Sequence, residues 1–200
     1  MSYVGKQPRE NITGIIALES QTASGTGSIT FDGMDGTYIA YEFHFINLHP
    51  ATDHVDFTFQ VNGVDLSGFD ETITSSYVEA YLREDDGNQA LTYRDSKDQG
   101  QGVAYQPLTR ETSNDGDSGV SGILTLYDPS STLYKHFAAT TNDMQNQDSY
   151  DAYARSSFIA GYIETTTPID EIDFKFSSGN IDTGTIKMYG IKTGSLTEVS

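Results

Sequence analysis

No cysteine occurs in the chain. A disulfide framework, a thiolate metal site and a cysteine nucleophile are thereby excluded, so stability has to come from a buried core, with or without self-association. Basic residues are scarce: 11 Lys and Arg stand against 29 Asp and Glu, a formal net charge of −18. Binding a phosphate backbone or an anionic bilayer needs clustered cations, so neither nucleic acid nor membrane is an expected partner. Long apolar runs are also missing. No stretch approaches the length of a membrane span, and residues 1–11 lack the apolar core of a signal peptide. The expectation is a protein made and folded in a cytoplasm. Sustained 3.6-residue periodicity, the mark of amphipathic helices, is not found either.

What is present suits strands. Hydrophobic residues make up 36% of the chain and aromatic residues 12%, with 13 Tyr and 10 Phe, which favours half-buried sheet surfaces. The length of 200 residues is enough for one sizeable core. Val55, Phe57, Phe59 and Val61 alternate with Asp56, Thr58 and Gln60 before the turn residues Asn62-Gly63. That alternation reads as a strand with one face in the core. Ile39, Tyr41, Phe43 and Phe45 alternate with Ala40, Glu42 and His44 as far as His49-Pro50, where proline removes a ladder donor. The two runs, joined by a short polar connection, read as an antiparallel pair.

Further strands are expected at 12–19, 27–31, 73–82, 103–108, 122–127, 135–139, 157–165, 172–176 and 185–191. Asp/Gly and Asn/Gly clusters separate them, at Asp32-Gly33, Asp85-Asp86-Gly87 and Asn114-Asp115-Gly116 among others. The expected fold is therefore all-β: a two-sheet antiparallel sandwich, jelly-roll-like, with Ile39, Phe43, Phe57, Phe59, Leu126, Phe174 and Ile186 between the sheets. Residues 1–11 read as a short extended N-terminal arm, 12–193 as the sandwich domain and 194–200 as a C-terminal tail. Residues 83–102 and 140–154 read as long polar loops, with a short helical turn at 149–155, and are the first places to look for binding.

The polar motifs admit weaker readings. His44, His49 and His54 recur every five residues around one connection, yet metal ligation needs side chains that converge, and no metal site is assigned to them. Asp115 and Asp117 offer oxygen ligands suited to calcium, but the segment lacks a closing glutamate and an Asp/Gly turn needs no ion, so no cofactor is expected. With so many carboxylates, a chance glycosidase-like pair is expected on number alone. No nucleophile elbow, phosphate loop or zinc-protease motif is found, so the chain is not expected to be an enzyme, and a carbohydrate-active enzyme is the least favoured reading. Tyrosines cluster in the polar segments. Their rings and hydroxyls suit sugars and protein interfaces alike, and Tyr93, Tyr150 and Tyr153 are the candidate glycan contacts.

Three segments resemble virion structural proteins of tailed bacteriophages. They are Gly122-Ile123-Leu124-Thr125-Leu126-Tyr127-Asp128-Pro129-Ser130-Ser131 with Tyr134-Lys135-His136-Phe137, the ending from Ile172 through Ile191, and Asn47-Leu48-His49-Pro50-Ala51-Thr52-Asp53. The opening Ser2-Tyr3-Val4-Gly5-Lys6-Gln7-Pro8 is similar to the leader of short-tailed-phage fibre and adaptor proteins. The resemblance implies a virion protein, often trimeric and without catalytic residues, that docks through Tyr3, Val4, Gly5, Lys6 and Pro8 onto other tail or capsid proteins. No shaft of heptads or β-helical repeats follows the leader, so a short tail fibre or fibre base fits better than a long fibre. Such a protein would contact host-surface polysaccharide, and the alternative is a capsid decoration protein that clamps shell subunits.

Overall fold

The structure, a computed structural model, describes residues 14–147 and 150–192, with the side chains of 147, 150 and 151 left undescribed. Twelve strands follow one another: β1 Gly14–Thr22, β2 Ile29–Phe31, β3 Ala40–Pro50, β4 Phe57–Gly63, β5 Ile73–Arg83, β6 Gln89–Tyr93, β7 Gln106–Pro107, β8 Val120–Tyr127, β9 Lys135–Gln147, β10 Tyr150–Ile163, β11 Ile169–Phe176 and β12 Ile181–Lys192. No helix occurs among the described residues. An eight-stranded sheet in the order β1-β12-β3-β8-β9-β10-β5-β6 packs on a four-stranded sheet in the order β2-β11-β4-β7. All pairings are antiparallel. The chain is an all-β two-sheet sandwich.

Phenylalanine forms the seam. Phe43 and Phe45 of the large sheet meet Phe174 of the small one with ring centroids 5.3 and 5.2 Å apart. Phe45 also meets Phe57 edge-on at 5.0 Å, and Phe59 meets Phe137 at 5.0 Å. Tilted and edge-to-face contacts of this kind add to the apolar area each ring removes from water. Gly161 lies opposite Phe137 on β10, where a Cβ would sit 2.9 Å from the Phe137 ring and 2.4 Å from the Thr74 carbonyl. The ring reaches Phe59 because that position carries no side chain.

Of the expected core, Phe43, Phe57, Phe59, Leu126, Phe174 and Ile186 are fully buried. Ile39 is a correction: it lies one residue before β3 and is 49% exposed. Parity places a residue on a face, but among the described residues that face is not covered beyond the strand's end. The pairing of the first two runs is also corrected. β3 lies between β12 and β8, whereas β4 lies in the other sheet between β11 and β7. The connection crosses from one sheet to the other, and its Ala51 and Val55 amides donate to Asn180 and Thr112 carbonyls. Alternation identifies the buried face of a strand but not its neighbours.

β4 is buried on both faces, not one. Gln60, on its second face, donates to the Glu71, Val103 and Ala104 carbonyls at 3.0–3.2 Å. The covering comes from the segment that follows β6. In the stretch 140–154, expected as a loop with a helical turn, residues 140–147 belong to β9 and 150–154 to β10 instead, and residues 83–102 contain β6. Both missed strands carry polar residues on two faces, so no apolar alternation marks them.

Candidate functional site

Four strands of the small sheet cannot cover eight. Towards the β9–β10 hairpin, the inner face of the large sheet is covered by residues 94–113 and is lined by polar groups. The register places Glu79 of β5 opposite Ser157 of β10, and Tyr81 opposite Arg155. On the other side of β10, Arg155 lies opposite Asp143 and Tyr153 opposite Gln145. These side chains point inward, together with the apolar Ile159, Ile163 and Phe137 of the same parity.

Three guanidiniums meet three carboxylates there. Glu79 accepts from Arg94 at 2.7 Å and from Arg110 Nε at 3.2 Å, with Arg155 Nε 3.7 Å away. Arg110 Nη1 donates to Glu111 at 2.7 Å. Arg155 Nη1 lies 3.4 Å from Asp143, and the same guanidinium donates to the Arg110 carbonyl and to Gln145 Oε1. Burial pushes the Glu79 carboxyl up, but the hydrogen bonds from Arg110 and Arg94 outweigh it and hold the group below its ordinary value. Asp143 goes the other way. Burial drives its carboxyl up to about 7, and the attraction of Arg155 and the Thr112 hydrogen bond recover only part of that. One of its oxygens, Oδ1, has no hydrogen-bond partner among the described residues. Beneath them the Tyr77 hydroxyl, 2.7 Å from Ser157 Oγ, is held above its ordinary value by burial.

Above this cluster a cavity of about 250 Å³ opens, lined by Tyr81, Asn88, Arg110, Gln145 and Tyr153. Tyr81 and Tyr153 meet edge-on with centroids 5.8 Å apart, and Asn88 donates to the Tyr153 hydroxyl at 3.4 Å. Two phenols, two amides and a guanidinium give donors and acceptors fixed by the strands below, a lining that suits a small hydroxyl-rich ligand. No carboxylate lines the cavity, and the Glu79 and Asp143 side chains are fully covered.

The candidate glycan contacts are separated by the structure. Tyr153 is at the cavity, only 9% exposed, with its ring edge against Tyr81. Tyr93 lies opposite Val78 on β6, on the outer side of the sheet, 53% exposed, and its hydroxyl donates to Asp98. Tyr150 begins β10, and its side chain is outside the described atoms. Tyr3, Val4, Gly5, Lys6 and Pro8 lie outside the described residues. Asp115 is engaged within its turn, accepting from Ser113 and Asn146, while Asp117 is exposed. The histidines diverge: His44 meets Glu42 at 3.0 Å, His49 the Asp115 carbonyl at 3.0 Å and His54 Asp53 at 3.3 Å. No group of three or more His, Asp or Glu able to hold a metal is found among the described residues.

Glu79, Arg110, Asp143 and Arg155 went unnoticed in the sequence. The signal was there in part: Glu79 shares parity with Ile73 and Tyr77, and Arg155 with Ile159, so each is a charge on an otherwise inward-facing series. Compared with known proteins, the chain matches no family model, and no curated protein or solved structure is significantly similar to it. The likeness to phage virion proteins rests on the quoted segments alone.

Proposed function

We propose that the chain is a non-enzymatic structural protein of a tailed-phage virion. In this reading it is a short tail-fibre or fibre-base component that attaches through its N-terminal arm and offers the cavity end of the sandwich to host-surface glycans. The cavity carries the binding half of the reading: aromatic edges, amides and one guanidinium surround it, and of the acidic groups beneath, Glu79 is held by Arg94 and Arg110 while Asp143 is fully covered. Such a lining can hold sugar hydroxyls, whereas hydrolysis by a carboxylate pair would need those groups at the substrate. The virion half is supported by the three resembling segments, which fall on β8–β9, on β11–β12 and on the end of β3. These are framework strands, so the likeness supports a shared scaffold more than a shared ligand.

Single cavities of this size bind weakly, and an assembly of several copies repeated on a particle would raise the effective concentration of sites. The test has two arms. Titration against a panel of bacterial surface polysaccharides is expected to show binding that Tyr81→Ala and Asn88→Ala weaken at least tenfold, with no release of reducing sugar. Particles purified from the producing lysate are expected to carry the chain through a density gradient. Sugar release that depends on the cavity would replace the binding reading with an enzyme, and a chain left wholly in the soluble fraction would end the virion reading.

A further inference from the structure

Five neighbouring strands of the large sheet, β8-β9-β10-β5-β6, present an outer face without formal charge. Every second residue points outward from Ser121 to Tyr127, His136 to Met144, Ala154 to Tyr162, Thr74 to Leu82 and Gln89 to Tyr93, and none of these is Asp, Glu, Lys or Arg. The remainder of the same face, on β3 and β12, carries Glu42 and Lys187. In a chain with a formal net charge of −18, so broad an uncharged surface is a marked departure. Large apolar side chains stand out of it: Phe158 is 47% exposed and Leu91 74%. Beside Phe158 is a shallow hollow of about 550 Å³ floored by small residues, among them Ala138, Thr140 and Ser156. Knobs and hollow lie side by side on one flat sheet.

We infer that this face is an interface between copies of the chain. Two copies so strongly negative repel each other wherever carboxylates meet. In a two-fold contact, moreover, a charge near the axis faces its own like, so self-association selects a face without charge. A basic partner would instead require carboxylates spread over the face; the outward strand residues supply none, and the carboxylates that reach it, Asp98 against Tyr93, Glu164 against Thr74 and Glu84 near Ala154, lie at its border. Residues 1–13 bring Lys6, Arg9 and Glu10 and residues 193–200 bring Glu198, which an uncharged face does not match. The size fits as well. At the usual strand spacing and rise, five strands of this length cover about 700 Å², close to the roughly 800 Å² that each partner contributes to a stable interface. Phe158 of one copy would enter the hollow of the next, with the two sheets packed face to face.

The inference is independent of where the protein acts, and sedimentation velocity of the full chain at micromolar concentration tests it. The wild type is expected to sediment as a dimer or larger assembly, and Phe158→Asp and Leu91→Asp as monomers with unchanged far-ultraviolet circular dichroism. Leu66→Asp, an exposed apolar position off this face, is expected to leave the assembly intact. If Phe158→Asp does not fold, Leu91→Asp on the edge strand decides the matter alone. A monomeric wild type overturns the inference, as does an assembly that survives both aspartates.

Discussion

The two faces of β5, β9 and β10 differ in a direction opposite to the usual one. Their inner face, shut away from water, carries Glu79, Asp143 and Arg155, whereas the described side chains of their outer face carry no formal charge. Ordinary globular surfaces hold the charges and ordinary interiors exclude them. Glu79 and Arg155 are tolerated there because residues 94–113 supply partners, Arg94 and Arg110 to Glu79 and the Arg110 carbonyl to Arg155, whereas Asp143, with one oxygen unpartnered among the described residues, is pushed toward its neutral form. The outer face has no such internal account, and its composition is that of the centre of an interface, where charge is depleted and aromatic residues gather.

The contrast can be broken most severely from the inside. Arg155→Ala is expected to cost about 3–5 kcal/mol, because it leaves buried Asp143 and Glu79 without one cation; urea unfolding measures it, and a loss below about 1 kcal/mol would mean that the cluster is solvated. A pH series sharpens the point. The Asp143 carboxyl is raised in the folded protein to about 7, above the unfolded value near 3.9, so the folded state holds the extra proton between those limits. Stability from this group is therefore greatest at low pH and falls as pH rises from about 4 to 7, by up to about 4 kcal/mol. Glu79, held low, acts in the opposite sense and loses its contribution only below about pH 4, as it takes up a proton. Asp143→Asn is expected to abolish the slope between about pH 4 and 7, and the difference from wild type cancels the general acidic repulsion common to both. Tyr77→Phe removes one partner from Ser157 and should cost about 1–2 kcal/mol at any pH below 9. On the outer face, Phe158→Asp in dilute monomer is expected to change stability by no more than about 0.5 kcal/mol. An aspartate is tolerated where water reaches and not where the arginines are already taken.

Much of the sandwich was legible in the sequence, for a reason that also explains what was not. Phe43, Phe57, Phe59 and Phe174 stand in clean alternation, and alternation reports the face that faces the core. It is silent about partners, so β3 and β4 read as a pair although they lie in different sheets. It also vanishes where both faces of a strand are polar. That is the case from Thr140 to Arg155, where Asn142 points outward and Asp143 and Gln145 point into the charge cluster, and the hairpin therefore read as a loop. The cavity was beyond reach for another reason: Asn88 and Tyr153 are 65 residues apart, and only the pairing of β10 with β5 brings them together.

The most direct test of the inverted sheet uses the lack of native cysteine, which makes single-site labelling clean. A nitroxide on Ala160→Cys, exposed on the middle strand β10 of the uncharged face and outside the hollow, is read by pulsed dipolar spectroscopy. Sheets packed face to face lie about 10 Å apart, so two labels are expected within about 20 Å of each other. Absence of dipolar coupling between copies would contradict the account, leaving the uncharged face open to water.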